Sequence, residues 1–185
     1  MSKKILTFGA SNSKSSINKQ FAIYAASQIE HADVKVLDLN DFEMPIYSID
    51  REKTTGIPEL ASRFKQHIRD ADGIVVSMAE HNGAYTTAFK NIMDWMSRLE
   101  GKLWEDKPLF VLSTSPGKRG GKSVLSISLN SFPHQGARGI ASFSLPAFRH
   151  NFSTEAGILD QDLDTDFRMQ LKAFTQAVGI ESFKS

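Results

Sequence analysis

The chain has 185 residues, inside the ~100–200 expected of one domain, and its composition (41% apolar, 23% charged, 12 Gly, 6 Pro) excludes collagen-like, low-complexity and disordered chains. With 22 basic against 21 acidic residues its net charge is +1, which gives no overall footprint for nucleic acid or an anionic membrane. Cysteine is absent, so disulfides, thiolate nucleophiles and thiol redox chemistry are excluded, and any redox centre must be borrowed.

In chain order, residues 4–8 (KILTF) read as a first strand. The segment MSKKILTFGAS breaks its apolar run at Gly9, too early for a signal peptide, and no 18-residue apolar run follows. The expectation is a cytoplasmic protein. After a polar loop, Phe21, Ala25 and Ile29 recur at helical spacing. Residues 34–39 form a second strand, and Pro58 suits the first turn of a helix carrying Leu60, Phe64 and Ile68. Residues 73–78 and 108–113 are nearly continuous apolar runs, as parallel strands covered on both faces require. Phe89, Ile92, Met93 and Met96 make a helical stripe between them, and 124–132 carries a shorter one. Residues 140–145 form a fifth strand, and Phe167, Leu171, Phe174 and Val178 mark a closing helix.

Five alternating β and α units predict an α/β fold, a parallel five-stranded sheet with right-handed crossovers. The order 2-1-3-4-5, a flavodoxin-like three-layer α/β/α sandwich, suits one domain over 1–185. Ligands of such sheets sit beyond the carboxyl ends of the strands, which selects the loops 9–18, 79–87 and 114–122.

The first loop runs Gly9-Ala10-Ser11-Asn12-Ser13-Lys14-Ser15-Ser16-Ile17-Asn18. Four serines and two asparagines where a strand enters a helix suit an anion, because a helix N-terminus offers unpaired N–H groups and partial positive charge. Ser15, Ser16 or Asn18 could instead cap the helix. Only Gly9 of G-x-G-x-x-G is present, so a monophosphate is expected rather than a dinucleotide.

The second loop contains Glu80, Asn82, Lys90, Asn91, Asp94 and Trp95 at the spacing of P-E-Y-N-x-S-x-P-x-x-L-K-N-x-x-D-W. It resembles that motif of the NADPH-dependent FMN reductase family. Ser11, Ser13, Ser16 and Asn18 resemble the family's G-S-x-R-x-x-S-x-N, with Ser13 at the arginine position. Ala79 replaces a proline, His81 an aromatic residue, and Thr86 the helix-start proline. The resemblance implies a flavodoxin-like fold and FMN as cofactor. It places Ser11, Ser13, Ser16, Ile17 and Asn18 at the phosphate, and Ala79, Glu80, His81, Asn82 and Gly83 at the ring edge. Trp95 and Trp104 are expected in the core or at a subunit interface, and Lys90, Asn91 and Asp94 to orient the 79–87 loop.

The third loop ends in Gly121-Lys122-Ser123, but Pro116 occupies the glycine position a P-loop needs. Ser115, Pro116, Gly117 and Gly120 fit the loop that flanks the flavin in the resembled family. Lys118, Arg119 and Lys122 form a basic cluster suited to NADPH phosphates, or else a solvated loop tip. The run Asp160, Asp162, Asp164, Asp166 lacks the glycine and glutamate of a calcium loop and reads as acidic charge at a helix start. The five histidines lack metal spacing, and no Gly-x-Ser-x-Gly elbow occurs.

By the resemblance, NADPH or NADH passes hydride through bound FMN to a small acceptor: a quinone, azo compound, nitroaromatic, metal oxyanion or free flavin. No catalytic side chain is required, since the cofactor carries the chemistry. The resemblance also implies a homodimer or homotetramer, without nucleic-acid or membrane partners. A flavodoxin-type electron carrier and a non-catalytic binding module on the same fold are the alternatives; the balanced charge disfavours the carrier.

Overall fold

The computed structural model describes residues 2–180; Met1 and residues 181–185 of the expected 1–185 domain lie outside it. β1 (Lys3–Ala10) leads to α1 (Ile17–Ser27), then to β2 (Ala32–Val36) and a 3-10 turn at Leu39–Phe42. α2 (Ile49–Thr55) and α3 (Glu59–Asp70) precede β3 (Gly73–Met78). A small hairpin, β4 (Glu80–His81) and β5 (Ala84–Tyr85), comes before α4 (Thr87–Met96). β6 (Pro108–Thr114), α5 (Lys122–Ser131) and a 3-10 turn at Pro133–Gln135 lead to β7 (Arg138–Leu145). α6 (Phe148–Asn151), a second hairpin of β8 (Phe152–Ser153) and β9 (Gly157–Ile158), and α7 (Gln161–Val178) follow.

The five long strands pair in parallel in the order β2-β1-β3-β6-β7, which is the expected 2-1-3-4-5 counted along the sheet strands. Alternation on those strands divides the core in two. Ile5, Val75, Phe110 and Leu112 face α1 and α7, where they meet Phe21, Phe167 and Phe174. Leu6, Phe8, Val76 and Val111 face α3, α4 and α5, against Phe64, Phe89, Trp95 and Val124. Burial on both faces explains why β3 and β6 carry almost no polar residues. Both tryptophans are fully buried core residues.

Several elements differ from expectation. The second strand is Ala32–Val36, not 34–39. Leu37 and Leu39 are buried, but Asp38 accepts from the Asn40 amide and starts the 3-10 turn there. As an edge strand β2 itself is largely exposed, so the apolar signal came from residues beyond it. Pro58 is the N-cap of α3 rather than a residue of its first turn. Ile29 lies past the C-cap Gln28 of α1 and is nonetheless buried. α2 has no signature in the sequence, because it buries no residue and so has no apolar stripe; Ser48 caps it. Asp160 caps α7, with Asp162 and Asp164 in its first turn, as the acidic run predicted. Among the described residues no helix is long and apolar enough to cross a membrane, and no group of acidic and histidine side chains could hold a metal.

Candidate functional site

The strand order reverses between β1 and β3, and there the three loops meet. One groove of ≈ 240 Å³ is lined by Ser11, Ser13, Ser15, Ser16, Ile17 and Asn18 from the first loop, Ala79, Glu80 and His81 from the second, and Thr114, Ser115 and Pro116 from the third. The sequence reading missed Ser15 as a lining residue although it lies within the serine run, and missed Thr114 because it ends a strand. Asn82, Gly83, Gly117, Gly120, Lys118, Arg119 and Lys122 stand outside the lining.

In the first loop the hydroxyls divide between inward and outward duties. Ser16 caps α1, its Oγ accepting from the Lys19 amide at 3.1 Å, and Ser11 Oγ accepts from the Ser13 amide. Ser13 and Ser15 are exposed at the groove. The amides of Ile17 and Asn18, in the first turn of α1, precede the intrahelical ladder. The Asn18 side chain faces inward: Oδ1 accepts from Ser77 Oγ (2.7 Å) and the Thr114 amide (3.1 Å), while Nδ2 donates to the Thr114 carbonyl (3.2 Å). The expected phosphate ligand therefore has its side chain in a clasp that joins α1 to the ends of β3 and β6. Lys19 Nζ donates to Asp38, and that bond holds the Asp38 carboxyl below the usual carboxylate range. Lys14 remains exposed at the loop.

The second loop is a hairpin, which its Asn-Gly pair signals. His81 pairs with Ala84, and both central residues have positive φ, Asn82 at 52° and Gly83 at 78°, the backbone of a type I′ turn. No atom lies within 4 Å of where a Gly83 Cβ would stand, so the turn's main chain is open to a ligand. Thr86 replaces the family's helix-start proline with a cap: its Oγ1 accepts from the Phe89 amide and donates to the Ala10 carbonyl. Asn91 does not orient this loop, as expected of it, but binds the 44–47 segment, donating to the Met44 and Pro45 carbonyls and accepting from the Tyr47 amide. Lys90 and Asp94 form an exposed ion pair one turn apart.

In the third loop Gly120 is structural, since Ser113 and Ser144 hydroxyls both donate to its carbonyl. Gly117 accepts from Ser115 Oγ and from the Gly120 and Ala147 amides. Lys118, Arg119 and Lys122 are exposed, with one Arg119 nitrogen donating to Ser123 Oγ. His81 also lines a second groove of ≈ 230 Å³, between the Leu39–Phe42 turn and the start of α4.

The model of the NADPH-dependent FMN reductase family matches residues 3–148. A 2-hydroxy-1,4-benzoquinone reductase of Burkholderia sp is 35% identical over 121 residues, 65% of this chain and 64% of its own length. An NADPH:quinone oxidoreductase of Arabidopsis thaliana is 29% identical over 154 residues, 80% of this chain and 74% of the relative. In structure, an NAD(P)H:(acceptor) oxidoreductase of Paracoccus denitrificans superposes with a TM-score of 0.73 at 23% identity, covering 96% and 97% of the two chains, a likeness of fold. Sheet order, loop motifs and the family match agree: the chain belongs to the NADPH-dependent FMN reductase family, NAD(P)H-dependent oxidoreductases with FMN as cofactor.

Proposed function

We propose that this chain passes hydride from NADPH or NADH to a small acceptor, a quinone above all, with an azo compound, nitroaromatic, metal oxyanion or free flavin as further acceptors. The observation that carries the reading is the convergence of all three loops on one groove at the strand-order reversal.

The residues present fit FMN. Its phosphate has a place at the start of α1, with Ser13 and Ser15 hydroxyls, the Ile17 and Asn18 amides and the nearby Lys14 charge. At ≈ 240 Å³ the groove falls below the ~300–1,000 Å³ of a pocket that holds a whole ligand. It suits the phosphate and its linker; His81, the open Asn82-Gly83 turn and Pro116 would hold the ring. When bound, FMN supplies the two-electron centre that a cysteine-free chain lacks. The protein's own part is to hold the phosphate, present backbone to the ring edge and leave one ring face open to donor and acceptor in turn. Lys118, Arg119 and Lys122, exposed on the third loop, would dock the phosphates of NADPH. A cytoplasmic homodimer or homotetramer is part of the same reading. Ile46 and Ile49, exposed at 68% and 55%, suit cover by a second copy of the chain.

The absorption spectrum tests this directly. Protein purified with FMN is expected to show bands near ~375 and ~450 nm that bleach on adding NADPH. Colour without bleaching would favour an electron carrier, and no uptake of FMN would overturn the reading. Replacing Arg119 with alanine is expected to raise KM for NADPH about three- to tenfold and to leave KM for NADH nearly unchanged, given the modest worth of an exposed charge. An equal rise for both donors would refute contact with the 2′-phosphate.

A further inference from the structure

The hairpin that forms one wall of the groove belongs to no larger sheet, since its two-residue strands pair only with each other. Such a hairpin has no stability of its own, so its position depends on what holds it. Two side chains tie it to α5. Glu80 Oε2 accepts from the Val124 amide at 3.0 Å, and Tyr85 Oη shares a hydrogen bond with Ser131 Oγ at 2.8 Å near the far end of that helix.

The first tether answers a need of α5. Its N-cap is Gly121, which has no side chain to bond the first-turn amides. Val124 is fully buried, so water is a poor substitute partner for its N–H. Glu80, 44 positions earlier in the chain, supplies the missing acceptor, and its charge suits the helix N-terminus. The residues just before α5 are the 115–121 loop, whose Ser115 and Pro116 form the opposite wall of the groove.

We propose that Glu80 is a positioning residue of the flavin site: by capping α5 from the hairpin, it makes the 80–85 and 115–121 walls one body and so sets the spacing available to the ring. The proposal rests on the function argued above. Glu80 itself need not touch the flavin.

The test separates positioning from plain stabilisation. Asp160→Ala removes an ordinary cap, the side chain that accepts from the Leu163 amide of α7, far along the chain from the three loops. Glu80→Ala and Asp160→Ala are expected to lower the melting temperature by similar amounts. Only Glu80→Ala is expected to weaken FMN binding, about tenfold, and to alter the visible circular dichroism of the bound flavin. Glu80→Gln keeps an acceptor oxygen at the same reach and is expected to restore both readouts to within about threefold. If Glu80→Ala does not fold, Glu80→Asp carries the same comparison, since its carboxylate falls one methylene short of Val124. An unchanged flavin affinity and spectrum in the folded variant would reduce Glu80 to a helix cap and overturn the proposal. A wild-type protein that takes up no FMN would overturn the functional reading beneath it.

Discussion

Replacing Gly9 with alanine is expected to lower stability by roughly 3 kcal/mol or more and to weaken FMN binding at least about tenfold in whatever protein folds. A Cβ on Gly9 would stand 2.4 Å from the Lys19 nitrogen, 2.6 Å from the Lys19 Cα and 2.9 Å from the Asn18 carbonyl carbon. All three atoms are backbone of the first turn of α1, so no side chain can swing away to make room. The helix itself must retreat from the end of β1. That movement carries with it the Ile17 and Asn18 amides and the Ser16 cap, the groups assembled around the proposed phosphate position. The two effects are separable by urea unfolding without cofactor and by quenching of FMN fluorescence on titration. Wild-type stability with wild-type FMN affinity would show that α1 shifts without cost, and would remove the close approach as the reason for glycine.

Asn18→Ala is expected to destabilise the protein by about 3–5 kcal/mol. The substitution leaves Ser77 Oγ, the Thr114 amide and the Thr114 carbonyl without the partner each now has. Ser77, Thr114 and Asn18 itself are all at least 96% buried, since none exceeds 4% exposure. Each unsatisfied buried group costs about 1–3 kcal/mol, and the total is a large part of an ordinary folding stability of about 5–15 kcal/mol. At this chain length the melting temperature is expected to fall by roughly 10 °C. Asn18→Asp is a sharper probe. It keeps an acceptor for Ser77 and the Thr114 amide but turns a second oxygen toward the Thr114 carbonyl, so it is expected to recover only part of the loss. A drop below about 1 kcal/mol for alanine would mean that water enters and satisfies the strand ends.

Much of the molecule was legible from local pattern. Strand 73–78 was placed to the residue, because a strand buried on both faces carries an uninterrupted apolar run. The alternation of elements implied a parallel sheet, chain length favoured its order, and the three candidate loops followed from that order. The Asn82-Gly83 pair is itself a hairpin signal, embedded in the longer family motif. α2 carried no readable pattern at all, since a surface helix with nothing buried has no apolar period.

The amino-acid sequence by itself determined the α/β class and the family motifs, favoured the strand order, and required that any redox centre of this cysteine-free chain be borrowed. Which polar side chains stay open at the groove and which turn into the protein was decided only by tertiary structure. Asn18 and Glu80 match the family motifs outright, where Ser13 and His81 depart from them, yet their polar atoms bind partners up to 96 and 44 positions away. The physical reason is that periodicity and propensity are properties of neighbours in sequence, whereas an orphaned amide at a strand end or helix start is satisfied by whatever acceptor the fold brings near it. The serines left exposed at the start of α1 are those the packing did not use.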